Sequence, residues 1–481
     1  RDITRTVDTT NSTAMLIACD MVETRGPLCP AGQREMDFFR AVRTLNSSDV
    51  DSSTSNTGEP INFATAWLDM DHVYSNHHPS SPDYLKYRTR SGGKMKLEDA
   101  TGLPPINPET GLYLVADARL GTLPTDLALL STFLHYHNKR AEHHRAQNPE
   151  FDDEALFQKA RMDCIAVYQA AHETKYLTAL LGDPLEAYKG YDPEVDASID
   201  VFFSTCSFRY GHSGVSGLIR LFDENWEPSP LDPVLLRDAF KNTVSIIQQI
   251  VATSDGSDGE GGDRAAIASI MRGLAHNPTK APDAHFVDDM TLFTGGAVVK
   301  NIQRGRDNGI SGYNDAREWF GQQRAESYLD VAKGDEAIAK ILEGLYGEGN
   351  VDDVDAYVGA MLETPKTKHD DLGPLNEASI RDQFQRLRDG DRLNYNSRLS
   401  AKEIEALPTL SELINDAWGD DSFYFPEDVF AIVPSGGSQG GVGTALADDG
   451  GSMDLFDGDL NVRWRKSDDY IHFTLEALEK V

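Results

Sequence analysis

No run of about 18 apolar residues occurs in the chain, so no segment reads as a membrane-spanning helix. Positive charge is in short supply. Lys and Arg total 45 against 78 Asp and Glu, giving a net charge of −33 and a pI near 4.7. A surface of that sign repels phosphate backbones, which argues against DNA or RNA as partners and suits a secreted or high-salt setting. Internal repeats are missing. Strand-like alternation is scarce, which leaves helices as the main building element. The chain opens on Arg1 without a positively charged, apolar leader, as expected of a mature or trimmed chain. Cysteine is limited to Cys19, Cys29, Cys164 and Cys206. Cys19 and Cys29 flank "CDMVETRGPLC" and could close a small disulfide, whereas Cys164 and Cys206 sit in apolar surroundings that suit buried thiols. Sequons at Asn11 and Asn46 fit a secreted, glycosylated chain, so the expected location is extracellular.

What is present is a 481-residue chain, 40% hydrophobic, long enough for a sizeable core. Residues 1–60 read as polar and irregular. Helical spacing follows over 126–147, 152–181 and 235–252, then through 312–347 and 376–388. "SDGSDGEGGD" at 254–263 reads as a solvated loop. Residues 434–455 read as a Gly/Asp-rich linker, and 456–481 as a β-hairpin segment.

Four short stretches could carry chemistry. "FRYGHS" places His212 behind Arg209; taken alone, such a histidine is more often a satisfied core residue than a ligand. "VADARLGTLP" sets Arg119 in an apolar stretch, where a buried guanidinium needs an anion. "KNIQRGRDNG" carries Asn301, Arg304 and Arg306. "TAWLDMDHV" alternates Thr65, Asp69 and Asp71 around the Trp67 carbonyl, oxygen ligands at a spacing that suits Ca²⁺. His135, His137, His143 and His144 share one predicted helix and read as structural.

In order and wording these stretches resemble the animal haem peroxidase family over residues 2–433. "FLHYHNKRAEHHRAQNPEFDDEALFQKAR", "NIQRGRDNGISGYND", "VDDVDAYVGAMLETP" and "RDQFQRLRDGDRLNY" extend the likeness. The resemblance implies a mainly α fold, with a short irregular N-terminal region and a small C-terminal β segment. It implies haem held by His212, with Asn301 accepting the other ring N–H and Arg119 stabilising charge on peroxide. Arg209 and Arg304 would take the haem propionates. Thr65, Trp67, Asp69, Asp71 and Asp2 would bind calcium. Hydrogen peroxide and small donors, or the phenols of an extracellular matrix, would be the partners. The radical-forming Tyr of the related cyclooxygenases and fatty-acid dioxygenases falls at Arg209, which favours the peroxidase branch.

The sequence also departs from the family. Arg1 falls where the family has its distal His, the proton acceptor, and Arg cannot serve as a base near neutral pH. Either the distal helix belongs to a segment outside this chain, or the chain is a pseudoperoxidase with a structural role in an extracellular assembly. Thr122 and Leu123 replace the Glu and Met that bond covalently to haem, implying non-covalent haem b and disfavouring hypochlorite production. The closing hairpin is similar to the opening strands of DOMON domains.

Overall fold

Pro124 opens the longest helix among the described residues, Pro124–Gln147; its fixed φ suits a first helical position, and its missing N–H costs nothing there. The buried positions of this helix run from Pro124 to Ala141 and include Phe133 and His137, so it packs on more than one side. The structure, a computed structural model, describes strand segments between residues 5 and 39. It then describes residues 60–418, apart from 63, 78–80, 99–100, 254–261, 278, 280–281, 294–295 and 366–371. Asp2, Asn11, Cys19, Cys29, Asn46, most of the 254–263 loop, the 434–455 linker and the 456–481 hairpin lie outside the described residues. No helix among the described residues is long and apolar enough to cross a membrane.

The fold is mainly helical, as expected. Two hydrophobic cores organise it. One is built by helices Pro124–Gln147, Asp153–Ala171, Thr243–Thr253, Gly262–His276 and Leu410–Trp418, around Leu127, Phe157, Ile247, Ile267 and Trp418. The other is built by Ala297–Asn308, Tyr313–Trp319, Glu336–Tyr346, Ala356–Leu362 and Pro374–Asp389, around Val298, Tyr313, Leu342, Tyr357 and Ile380. The segment carrying His212 packs on the second core through Phe203 and Tyr210; the segment after Arg119 packs on the first through Leu120 and Leu123.

Three expectations change in detail. The N-terminal region is not wholly irregular: Ala14–Ala18 pairs antiparallel with Glu35–Phe39 and with Arg5–Thr6. The runs AMLIA and EMDFF are short apolar segments hidden by the polar average around them. The helix expected over 152–181 begins with Asp152 capping the Ala155 N–H, but turns into a π-helical stretch at His172–Tyr176 before Leu177–Leu181. The wider turn carries Glu173, whose oxygens accept from Asn394 and Asn396. The helix expected over 235–252 breaks after Ala239, where Lys241 takes φ 61° and gives its N–H to the Thr122 carbonyl at 2.8 Å. That tertiary bond ties the break to the turn that bears Arg119.

Candidate functional site

Asp200 starts the His212 segment by accepting from the N–H groups of Phe202 and Phe203. A tight turn over Ser207–Tyr210 and a short helix, Gly211–Gly214, then present Arg209 and His212 one turn apart. Ser207 anchors the turn to helix Pro374–Asp389 through Ser379, at 2.7 Å. Opposite, helix Ala297–Asn308 buries Val298, Asn301, Ile302 and Gly305 at helical spacing and ends on Gly309 in the left-handed region. Asn301 is fully buried and stands 2.9 Å from His212 Nδ1 through its amide nitrogen, so two residues 89 positions apart meet.

The sense of that contact differs from the expectation. Arg209 Nη1 lies 3.1 Å from Asn301 Oδ1. A guanidinium only donates, so the amide atom facing it is the oxygen. The amide nitrogen therefore faces the ring and donates to Nδ1, instead of an amide oxygen accepting from it. It also donates to the Tyr357 hydroxyl at 2.9 Å, which in turn donates to the Arg209 carbonyl at 3.4 Å. Burial, and then the charge of Arg209, hold the His212 pKa below its usual value; the Asn301 bond partly offsets them.

Arg209 also donates to the Ser204 carbonyl at 3.0 Å. Burial, followed by the charge of Arg304, lowers its pKa, which places two guanidinium groups in one neighbourhood. Arg304 stands 3.9 Å from Asp307 across one turn of its own helix. Nearby, an open cleft takes in about 820 Å³ of non-atom space, the solvent at its mouth included. Leu123 and Thr125 line it from the first core, Gly211 and Gly214 from the His212 helix, with Leu236 and Leu274. The cleft thus joins the start of the long helix to the His212 segment.

Arg119 is not the buried residue its apolar context suggested. Its side chain is 83% exposed and forks onto Asp117, with Nε 3.0 Å from both carboxylate oxygens. The pairing lowers the Asp117 pKa and raises that of Arg119. Asp117 also caps the turn by accepting the Arg119 N–H at 2.9 Å, a role the Asp-Ala-Arg spacing could have signalled. Among the described residues Arg119 pairs with Asp117, and not with His212, Asn301, Arg209 or Arg304. Its charge reaches His72 and Asp71, so it lies toward the 65–71 loop.

In that loop the Thr65 hydroxyl donates to Asp69 Oδ1 at 2.7 Å and lies 3.4 Å from the Trp67 carbonyl oxygen. The Thr65 N–H donates to Asp71 Oδ2 at 3.1 Å, and the Asp71 N–H to Asp69 Oδ1 at 3.2 Å. Four oxygen-bearing residues therefore converge. Among the described residues no three His, Cys, Asp or Glu side chains gather to hold a metal, so a cation here would also need the hydroxyl and the carbonyl. The remaining histidines of the long helix have ordinary partners: His137 with Tyr74 and Gly93, His135 with Gly102, His144 with Asp163. Cys164 and Cys206 are buried free thiols.

The model of the animal haem peroxidase family matches residues 2–430. The chain belongs to the animal haem peroxidase family. It is 32% identical to lactoperoxidase of Mesocricetus auratus over 74% of this chain and 52% of that one. Identity to peroxinectin A of Dictyostelium discoideum is 28%, over 81% and 73%. Identity to dual oxidase of Drosophila melanogaster is also 28%, over 83% of this chain but 27% of that protein, so the chain spans a fraction of some relatives. Peroxidase A from Dictyostelium discoideum shares the fold at TM-score 0.66 and 27% identity, over 82% and 78%. Fatty acid alpha-dioxygenase of Arabidopsis thaliana, at 17% identity and TM-score 0.69, shares the fold alone.

Membership in the haem peroxidase family implies haem, and the residues present fit one. Two neighbouring guanidinium groups, Arg209 and Arg304, suit a dicarboxylate. A Cβ on Gly211, the residue before His212, would meet nothing within 4 Å, so space is open at that point of the segment. Tyr357 is the member of this network that sequence reasoning missed. It lies in "VDDVDAYVGAMLETP", a family-like segment, but nothing in that segment marks its hydroxyl as a partner of Asn301.

Proposed function

We propose that the chain is the haem-binding unit of a secreted peroxidase that reduces hydrogen peroxide and oxidises small donors or matrix phenols. The observation that carries this reading is the 2.9 Å contact between His212 and buried Asn301, with Arg209 and Arg304 beside it. His212 would hold the iron of a non-covalent haem b, and Arg209 and Arg304 its carboxylates. A bound haem supplies the redox change that cleaves the O–O bond. Arg119 would stabilise negative charge developing on peroxide once it turns from Asp117. Thr122, whose hydroxyl donates to the Arg119 carbonyl at 2.6 Å, and Leu123, which lines the cleft, offer no group for a covalent haem bond. Thr65, the Trp67 carbonyl, Asp69 and Asp71 form the calcium loop, completed by Asp2. A Cys19–Cys29 disulfide and glycans on Asn11 and Asn46 accompany secretion.

One observation favours a second reading, a catalytically impaired pseudoperoxidase in an extracellular assembly. Arg119 is exposed and paired with Asp117. Absorption spectra before and after one equivalent of hydrogen peroxide separate the two. A ferric Soret band that shifts within seconds supports the enzyme. A Soret band indifferent to peroxide supports the impaired protein. No Soret band after haem addition overturns both haem assignments.

A further inference from the structure

We propose that the outward face of helix Tyr313–Trp319, with the cleft beside it, is a docking surface for a basic segment of a partner protein, in which a Lys or Arg head lies over the exposed indole of Trp319.

Trp319 is 84% exposed, more than any other large apolar residue among the described residues. An indole left in water gains nothing from folding, and tryptophan is enriched where protein partners anchor. The frame around it fixes that exposure. The helix buries Tyr313, Asn314 and Ala316, so Asp315, Glu318 and Trp319 face outward together, three and four residues apart. The next residue, Phe320, turns inward against Phe202, with ring centroids 5.9 Å apart. Arg317 Nε donates to the Gln323 carbonyl at 2.7 Å, and Asn314 exchanges two hydrogen bonds with Ala325, at 3.0 and 2.8 Å. The chain on both sides of Trp319 is therefore tied down. An anchor held this way loses little freedom on binding.

Charge selects the occupant. Arg324 Nη1 donates to Asp315 and to Glu318, each at 2.8 Å, and Nη2 donates to Asp352 at 2.9 Å. One guanidinium thus gathers three exposed carboxylates and leaves the group net negative. Asp352 also lines an open cleft of about 600 Å³ of non-atom space, the solvent at its mouth included, together with Asp353, Asp355 and Arg306. Arg306 matches Asp355 through bonds of 2.9 and 2.7 Å, whereas exposed Asp353 adds its charge to the rim. Asp352 therefore joins the helix face and the cleft into one surface, with five carboxylates to two guanidinium groups. A cation over an indole face is attracted by the ring, and the carboxylates steer basic segments in and repel acidic ones. A second copy of this chain, at net charge −33, is a poor occupant. A Lys/Arg-rich segment fits, with one head on Trp319 and the next toward Asp352 and Asp353.

The test uses the full chain and needs no haem. The protein is titrated into a fluorescein-labelled nonapeptide of alternating Arg and Gly, read by anisotropy at about 0.15 M salt, which screens charges beyond about 8 Å. We expect binding that Trp319→Ala weakens about tenfold and that the double variant Glu318→Gln/Asp353→Asn weakens by a similar factor. The control is Asp192→Asn/Glu194→Gln, which removes the same charge from two exposed residues of the 190–196 turn. It should leave the affinity within about twofold of the wild type. The chain has five tryptophans. In protein carrying fluorotryptophan, the ¹⁹F signal that Trp319→Ala removes should be the one the peptide shifts. Equal weakening by the two acid pairs overturns the proposal, because attraction to net charge alone would produce it. Wild-type affinity in Trp319→Ala, a peptide that shifts only other indole signals, or a wild type that does not bind the peptide overturns it as well.

Discussion

Asn301 has no solvent to fall back on, so each of its contacts matters more than a surface bond would. Asn301→Ala leaves His212 Nδ1, the Tyr357 hydroxyl and Arg209 Nη1 without their partner in one step. Loss of such a bond to a ligating histidine typically weakens metal-group affinity about 10–100-fold. We expect that loss for haem, measured by competition with an acceptor haem protein. Retention of wild-type affinity would show that Asn301 does not support His212. Gly273 makes a different residue-scale case. A Cβ there would stand 1.8 Å from the Arg220 carbonyl oxygen, a backbone atom that cannot step aside. Gly273→Ala should lower unfolding free energy by more than about 3 kcal/mol in urea titration. At this scale the sequence was informative but incomplete. Family wording pointed to His212 and Asn301, whereas the sense of their bond depends on Arg209 and Tyr357, which no motif couples to it. Arg119 misled because its apolar neighbours point inward while its own side chain finds Asp117 two residues back.

Helical periodicity located the long elements because their apolar faces are sequence patterns. It did not locate their breaks, because tertiary partners make them: Thr122 takes the Lys241 N–H, and Asn394 and Asn396 draw in Glu173. The π-helical stretch at His172–Tyr176 has a measurable consequence. Burial raises the Glu173 pKa to about 7, against the opposing Asn394 bond. The folded state thus keeps a proton that the unfolded chain gives up near the ordinary Glu value of about 4.3. The stabilisation is complete below that value and is lost as pH rises through 7. Glu173→Gln should remove about 2–3 kcal/mol of pH dependence between pH 5 and 8, read from urea midpoints. Curves that stay parallel for both proteins would mean that Glu173 is ionised throughout. The 65–71 loop gives the calcium counterpart. Thr65 links the two carboxylates, its hydroxyl donating to Asp69 and its N–H to Asp71. Chelator should lower the melting temperature by a few degrees and calcium restore it, while Asp69→Ala should melt at the chelated value regardless.

Across the whole molecule, acid attacks both cores through histidines that fold neutral. His137 lies in the first, between Tyr74 and Phe157; His172 lies by the second, between Tyr176 and Phe384. Burial lowers both pKa values to about 4. In the unfolded chain each titrates near the ordinary value of about 6.5, so their contribution is complete above that pH and is lost as pH falls through 4. Each is worth up to about 3 kcal/mol, so the pair outweighs Glu173, which acts in the opposite direction. His137 shows why the neutral form is required. Its Nε2 lies 2.8 Å from the Gly93 carbonyl and must donate, which leaves Nδ1, 3.0 Å from the Tyr74 hydroxyl, to accept. A second proton would bring charge into a site with no carboxylate in contact. Gln at this position can keep a donor and an acceptor but cannot gain the charge. His137→Gln should be somewhat less stable than the wild type at pH 7, through lost packing against Phe157. It should then lose less stability on going to pH 4, so the two urea-midpoint curves converge. Curves that fall in parallel would mean that acid enters the fold elsewhere, and His172→Gln would become the variant to measure.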